Sequence, residues 1–321
     1  VYDRFRGRLV WPIRDITGAT VGFGARKLDE DDQGPKYLNT PETPLYKKSQ
    51  VLYGVDLAKK DIARSKQVVI VEGYTDVMAA HLAGVPTAVA TCGTAFGADH
   101  ARVVRRLLGD GSDPTAGLLL AGGTRGGEVI FTFDGDAAGQ KAALRAFGED
   151  QRFSAQTFVA VGPQGLDPCD LRLQRGDQAV RDLVAAREPL FAFVIRAALA
   201  SVDLDTVEGR VAGLRAAAPV VATIRDRALR EGYARELAGW LGMNEAEVAK
   251  RLPAILARLN PAGEGRGGTL KSIAPRAWVA AGSTTVSRCR WWERSRTSSR
   301  WPARSCSPSG PDRWSRYPGS P

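Results

Sequence analysis

The feature that most constrains the fold is an alternation of strand-like and helix-like segments between residues 67 and 161. In Gln67–Val71 four consecutive β-branched apolar residues follow the glutamine, a pattern typical of a strand buried on both faces. The other strand-like segments are residues 87–90, 128–133 and 154–161. The helix-like segments between them are residues 76–83, 99–108 and 136–147. This alternation predicts a parallel α/β sheet.

The segments on either side of this region have a different character. Residues 8–14 and 19–26 read as two strands joined by a tight turn, and residues 35–43 read as extended chain. Beyond residue 170 strand signals are lacking, and the sequence predicts helices instead. These are residues 189–201, 207–216, 220–241 and 244–252, with Pro253 expected to end or kink the last one.

Charge is distributed unevenly along the 321 residues. The formal net charge is +10, but residues 271–321 carry +8 of it and residues 1–270 carry only +2. Any argument for nucleic-acid binding therefore depends on local basic patches. The last 51 residues contain 11 Ser, 9 Arg, 6 Pro and 5 of the 7 Trp, and no Leu. Two interpretations stay open: a disordered basic tail or, the one we favour, out-of-frame translation of a GC-rich gene.

Several classes of protein are excluded by simple counts. No run of 18 apolar residues is present, so we expect no membrane span. The four cysteines form no CxxC pair and there are two histidines, which argues against a zinc knuckle or disulfide scaffold and fits a reducing cytoplasm. The chain begins at Val1 with no signal-peptide pattern and strand-like sequence almost at once, which suggests a fragment that lacks an N-terminal part.

Acidic residues follow three of the predicted strands. In an open α/β sheet, ligands bind at the carboxyl ends of the strands. Clustered carboxylates need a compensating cation, and Mg²⁺ with oxygen ligands is the natural one. A two-metal arrangement activates a hydroxyl and stabilises a leaving pyrophosphate. The acids are Glu72 and Asp76, Asp134 and Asp136, and Asp167 and Asp170.

These acids stand in a recognisable order, after a series of basic motifs. The strand–E-G-x-x-D and strand–D-G-D-x-x-G pair, about 60 residues apart, resembles the Toprim domain. Before it come D-R-F-R-G-R at residues 3–8, G-F-G-A-R at 22–26 and P-K-Y-L-N-T-P-E-T at 35–43. This order of motifs closely resembles the catalytic core of bacterial DNA primases of the DnaG type, over about residues 1–258.

The resemblance implies a fold class and a domain organisation. We expect an α/β protein with a Toprim parallel-sheet domain, an N-terminal mixed, strand-rich basic subdomain and a C-terminal helical subdomain. The expected boundaries are residues 1–65 for the basic subdomain, which is part of the primase core, 66–170 for the Toprim domain, 171–260 for the helical subdomain and 261–321 for the tail.

The resemblance also implies a nucleotidyltransferase that makes short RNA primers on single-stranded DNA from ribonucleoside triphosphates. Mg²⁺ or Mn²⁺ is the expected cofactor, with no zinc in this chain. Glu72, Asp134 and Asp136 are the expected catalytic residues and also metal ligands, with Glu72 as general acid or base. Asp167 and Asp170 are expected as further ligands, and Asp76 has a supporting role. The expected binders of nucleotide or template are Arg4, Arg6, Lys36, Asn39 and Lys48.

This sequence departs from the family pattern at one acid. The family has D-P-D where Asp167-Pro168-Cys169-Asp170 stands here. A shift by one residue moves a side chain markedly, which puts the assignment of Asp170 in question. A thiolate at Cys169 would be a poor ligand for Mg²⁺.

The expected partners are single-stranded DNA, nucleoside triphosphates and an RNA–DNA hybrid, at a bacterial replication fork in the cytoplasm. The family's N-terminal zinc module would need a Cys/His cluster, which this sequence lacks, so we expect that module to be missing. The family's helicase-binding domain is expected to follow near residue 262, where the unusual tail stands instead, so we expect that domain to be missing as well. Two alternatives to an active primase core stay open. One is an inactive nucleic-acid-binding fragment of a truncated or frameshifted primase, and the other is a different Toprim enzyme, a topoisomerase or nuclease.

Overall fold

A computed structural model describes residues 3–29, 31–109, 127–133, 153, 155–224 and 226–259, with side chains up to residue 254. Asp134, Asp136, the predicted helix at residues 136–147 and the predicted tail at 261–321 lie outside the described residues. All described residues belong to the unit Val1–Pro275. None of the helices seen in these ranges is long and apolar enough to cross a membrane.

The N-terminal part forms a three-stranded antiparallel sheet. Its strands are β1 (Arg8–Arg14), β2 (Thr20–Lys27) and β3 (Tyr37–Asn39), paired in the order β1-β2-β3. The turn between β1 and β2 is held by Asp15, whose Oδ1 accepts hydrogen bonds from the Thr17 hydroxyl and from the backbone N–H of Thr17, Gly18 and Ala19. This is the strand pair and turn that the sequence predicts.

The central part is a five-stranded sheet with strand order β5-β4-β6-β7-β8. Strands β4 to β7 run parallel, and the two-residue β8 is antiparallel to β7. The strands are β4 (Gln67–Val71), β5 (Ala88–Ala90), β6 (Glu128–Phe133), β7 (Gln156–Val161) and β8 (Glu188–Pro189). The predicted parallel α/β sheet is therefore confirmed, whereas the absence of strands after residue 170 is wrong for β8.

Helices cover both faces of this sheet. The helices are α1 (Val55–Ser65), α2 (Tyr74–Leu82), α3 (Ala98–Leu108) and α4 (Pro168–Ala185). Successive residues of β4 point to opposite faces: Val68 and Ile70 pack with α1 and α3, while Val69 and Val71 pack with α2, α4 and the N-terminal sheet. The chain leaves α2 through Gly84, whose φ of 86° lies in the left-handed region that favours glycine.

A helical module follows and has a core of its own. It consists of α5 (Leu190–Leu199), α6 (Val207–Thr223), α7 (Arg227–Leu241) and α8 (Glu245–Leu259). Fully buried residues such as Leu214, Leu237 and Leu241 form its centre. The predicted single helix over residues 220–241 is wrong, because α6 ends at Thr223 and the Asp226 side chain caps a new helix by accepting from Leu229 N–H at 2.8 Å. Of the two effects expected at Pro253, an end of the helix is wrong, since α8 continues to Leu259 with Pro253 inside it, and a kink stays a prediction.

Candidate active site

The predicted acids of the described chain lie at one edge of the parallel sheet. The carboxyl ends of β4, β5, β6 and β7 share this edge because the strands are parallel. Glu72 follows β4 directly and is exposed, and α4 begins shortly after β7 ends. We call this region the acidic edge; its described members are Glu72, Asp76, Asp167 and Asp170.

Asp76 is fixed inside the fold. It is 5% exposed, and its Oδ2 accepts a hydrogen bond from the backbone N–H of Gly73 at 2.8 Å. This contact ties the first turn of α2 to the residue that follows Glu72. A negative charge in the first turn of a helix is also favoured by the helix dipole. The geometry is that of a residue that holds the Glu72 turn in place.

Asp167 and Asp170 both belong to the start of α4. Asp167 is the N-cap, and its Oδ1 accepts from the backbone N–H of Asp170 at 2.6 Å. The Asp170 side chain is exposed in the first turn. One carboxylate oxygen of Asp167 is therefore engaged in capping α4.

Three of these acids act electrostatically on the thiol of Cys169. Burial raises the pKa of Cys169, and the negative charges of Asp167, Asp76 and Asp170 raise it further, while a hydrogen bond with Thr75 lowers it. The raised pKa keeps the thiol protonated at neutral pH.

The D-x-D acids cannot be placed, but the strand that leads to them can. Strand β6 ends at Phe133, immediately before Asp134 in the sequence, and pairs with β4 on one side and β7 on the other. Within the described ranges no group of three His, Cys, Asp or Glu side chains is arranged to hold a metal ion. Asp134 and Asp136 lie outside these ranges.

The N-terminal sheet docks beside the acidic edge through Asn39. The Asn39 Nδ2 donates to the backbone carbonyl of Cys92 at 3.2 Å, and its Oδ1 accepts from the hydroxyl of Tyr74 at 3.0 Å. Cys92 follows β5, and Tyr74 follows Glu72 and Gly73. Asn39, predicted to bind nucleotide, is thus held at the junction of the two sheets.

The predicted cations lie in the N-terminal part of the chain and differ in exposure. Arg4, Arg6 and Lys36 are exposed, and Lys48 is half-buried. The Lys48 carbonyl is 2.9 Å from Nε2 of His100, in the first turn of α3, which begins shortly after the carboxyl end of β5. Lys48 therefore lies at the edge of the sheet formed by the carboxyl ends of the strands, where the acids also lie.

Arg26 is a candidate that our sequence-based set of site residues omitted. Its guanidinium lies 5.8 Å from the centre of the Tyr37 ring, and Lys36 Nζ lies 5.9 Å from the same ring. The ring is 43% exposed, so a base could still reach it. Arg26 and Tyr37 are register partners on β2 and β3, two positions along the strands from the Gly24–Asn39 pair. The sequence feature that could have identified Arg26 as a site residue is the G-F-G-A-R motif, which ends with this arginine.

A cavity of about 360 Å³ lies away from these residues. It opens at the amino ends of β4 and β5, where Gln67, Thr87 and Arg181 line it. Because the acids lie at the carboxyl ends, this cavity is at the opposite edge of the sheet. The chemistry of the acidic edge, not the cavity, therefore identifies the candidate site.

The two sheets correspond to two known domains. Residues 66–160 match the family model of the Toprim domain, and residues 1–59 match that of the DNA primase catalytic core, N-terminal domain. The RNA polymerase domain of Mycobacterium tuberculosis primase DnaG, crystallised with double-stranded DNA, is 58% identical with a TM-score of 0.65, over 75% of this chain and 73% of that one. A DnaG primase catalytic domain bound to single-stranded DNA is 34% identical with a TM-score of 0.62, over 77% and 73%. This chain belongs to the DnaG-type bacterial DNA primase family.

The chain represents only part of its curated relatives. The DNA primase of Streptomyces coelicolor is 60% identical over 256 residues, which are 80% of this chain and 38% of that protein. Membership of this family disfavours the alternative of a topoisomerase or nuclease. The domain boundaries expected at residues 65, 170 and 260 stay predictions. Helix α4, which spans the boundary expected at residue 170, packs on α2 against the parallel sheet.

One expectation about the partners is wrong. Residues 191–246 match the DnaB-helicase binding domain of primase, whereas we expected a helicase-binding domain only beyond residue 262 and therefore as missing. The matched residues form most of the helical module. Helices that pack on one another have the same 3.6-residue periodicity whatever they bind, so the pattern alone did not separate a binding module from a structural one.

Proposed function

We propose that this chain carries the catalytic core of RNA primer synthesis: template-directed, metal-dependent transfer of nucleotides from nucleoside triphosphates to an RNA 3′ end. The main support is that Asn39 docks the basic N-terminal sheet directly beside the acidic edge. A site that holds a triphosphate and a divalent ion needs cations and carboxylates together, and this junction supplies both.

The acids suit Mg²⁺ or Mn²⁺ and no softer ion. Glu72 and Asp170 present exposed carboxylates, and carboxylate oxygen is the donor that these cations prefer. We propose Glu72, Asp134, Asp136 and Asp167 as ligands, with Asp170 as a further one. When bound, the cation neutralises phosphate charge and lowers the pKa of the attacking hydroxyl.

The residues of this chain have distinct proposed roles around that ion. Glu72 accepts the proton of the attacking 3′-hydroxyl, since it is exposed at the end of β4. Asp76 keeps the Glu72 turn in place through Gly73. The charges and donors proposed to orient the triphosphate and the template phosphates belong to Arg4, Arg6, Arg26, Lys36, Asn39 and Lys48. The exposed ring of Tyr37 stacks on a base.

The proposed partners follow from the same surfaces. Single-stranded DNA is the template, nucleoside triphosphates are the substrates and an RNA–DNA hybrid is the product. We assign helicase binding to the helical module, because residues 191–246 match a domain of that description. The place of action is then the replication fork in the bacterial cytoplasm.

Extension of a supplied primer tests this function. The chain is incubated with a single-stranded template carrying a pre-annealed RNA primer, labelled nucleoside triphosphates and Mg²⁺ or Mn²⁺. We expect extension that requires the metal and is abolished in Asp134→Ala. DNA binding without extension would instead support the inactive nucleic-acid-binding fragment.

A further inference from the structure

Tyr74 joins the two halves of the candidate site. It is the first residue of α2 and lies between Glu72 and Asp76 in the sequence. Its side chain is buried, yet its hydroxyl reaches across to the N-terminal sheet and donates to Asn39 Oδ1 at 3.0 Å. A single side chain therefore connects the turn that carries Glu72 with the strand that carries Asn39.

The ring of Tyr74 has little freedom to move. It stacks on Trp11 with ring centres 5.0 Å apart and an angle of 8° between the planes, and it meets the edge of Tyr53 at 4.7 Å and 80°. A Cβ atom added to Gly24 would lie 2.2 Å from the ring. A tyrosine hydroxyl carries its proton at neutral pH, so it can act as the donor.

The hydrogen bonds also fix which way the Asn39 amide faces. The carbonyl of Cys92 can only accept, so the Asn39 NH₂ group must face it, and Oδ1 must then face the Tyr74 hydroxyl. With both ends engaged, one N–H and one lone pair of Asn39 remain for a ligand. Their direction is set by the two contacts.

We propose that Tyr74 is a positioning residue, whose hydroxyl aims the Asn39 amide at the nucleotide and fixes its distance from Glu72. This inference rests on the proposed function. It assigns a reason for a tyrosine at this place in the acidic motif that ring packing alone does not require, because phenylalanine would fill the same space.

Tyr74→Phe removes one oxygen and keeps the ring. Asn39 Oδ1 then loses its partner, and the amide is free to rotate about its last side-chain bond. We expect kcat/KM for the incoming nucleotide to fall about 5- to 10-fold, the effect of one well-placed hydrogen bond. The Kd for template measured by fluorescence anisotropy should stay within about twofold, since phosphate contacts from Arg4 and Arg6 dominate it.

A double-mutant cycle on primer extension tests the mechanism. Tyr74→Phe, Asn39→Ala and the double variant are compared with the unaltered chain. If Tyr74 acts through Asn39, its substitution costs nothing further in the Asn39→Ala background. Tyr53→Phe is the matched control, because it removes a neighbouring phenolic hydroxyl from a ring that also touches Tyr74, and it should leave kcat/KM unchanged.

The outcomes separate the two proposals. Extension by the unaltered chain with equal kcat/KM in Tyr74→Phe, or full additivity of the two substitutions, overturns the positioning role and leaves the proposed function standing. No extension by the unaltered chain overturns the proposed function and this inference with it. Thermal denaturation is recorded for every variant, and a loss of activity that follows a loss of folded protein at the assay temperature counts against the positioning role.

Discussion

Gly24→Ala should destabilise the docking of the N-terminal sheet. The added Cβ would lie 2.2 Å from both Cζ and Oη of Tyr74 and 2.7 Å from Cε2. The ring cannot retreat, because Trp11 and Tyr53 pack against it. Either the ring leaves its place or β2 moves away from α2.

The size of the effect follows from the contacts at risk. Overpacking costs about 1–3 kcal/mol, a lost aromatic pair about 0.5–1.5 kcal/mol and a lost Tyr74–Asn39 hydrogen bond about 0.5–1.5 kcal/mol. Replacing glycine by alanine also lowers the conformational entropy of the unfolded chain, which stabilises the folded state by about 0.4–1 kcal/mol. The free energy of unfolding should therefore fall by about 1–5.5 kcal/mol.

Urea denaturation followed by circular dichroism measures this change. Gly239→Ala is the matched control, because Gly239 lies on α7 with nothing within 4 Å of an added Cβ, and it should stabilise the chain by about 1 kcal/mol. A Gly24→Ala variant that stays within about 0.5 kcal/mol of the unaltered chain would refute the packing of Tyr74 described above.

Three further predictions concern single residues. Burial lowers the pKa of His100 below its ordinary value of 6.5, because the folded state favours the neutral form. The contribution of His100 to the free energy of unfolding is therefore complete above pH 6.5 and is lost as the pH falls below that value. Urea denaturation should show at most about 1.4 kcal/mol of this loss between pH 7.5 and 5.5, absent in His100→Gln. Asp167→Ala should cost about 0.5–2 kcal/mol of stability by removing the cap of α4, whereas Asp167→Asn keeps the cap; equal melting temperatures with lower extension activity in Asp167→Asn would identify the charge as the functional part. Pro253→Ala should raise the melting temperature by restoring a backbone donor inside α8, and an unchanged or lower value would contradict that.

The sequence predicted the parallel sheet well because burial on both faces leaves a local signature. Gln67–Val71 and Glu128–Phe133 are mainly apolar segments whose bounds match β4 and β6 residue for residue. Ala98–Leu108 was found within one residue, since a glycine follows its last apolar position. These signals depend on near neighbours only.

Features that depend on distant contacts were missed. β8 is two residues long and exists because it pairs with β7, which no periodicity in Glu188–Pro189 could reveal. The break between α6 and α7 had a local signal in Asp226, but the apolar residues on both sides masked it. Arg26 was recognised as part of a motif, yet only its register with Tyr37 placed it beside an exposed aromatic ring.

The acids of the candidate site were predicted as a set, and their arrangement was not. The spacing of the acids in the sequence could not show that Asp76 is buried and bonded to Gly73, or that one carboxylate oxygen of Asp167 caps α4. Asn39 was predicted from the resemblance as a binder of nucleotide or template. Its contacts with Tyr74 and Cys92 join residues 35 and 53 positions away in the sequence, and only the folded chain brings them together.

We propose that carboxylates at the carboxyl edge of the sheet bind the metal that drives nucleotidyl transfer. The most direct test is the rate of primer extension as a function of Mg²⁺ concentration for the unaltered chain, Glu72→Gln and Asp182→Asn. Asp182 is an exposed acid near the other end of α4, so it tests the removal of a charge away from the acidic edge. We expect Glu72→Gln to lose at least about 100-fold at every Mg²⁺ concentration and Asp182→Asn to match the unaltered chain. Equal rates in Glu72→Gln and Asp182→Asn would contradict the account.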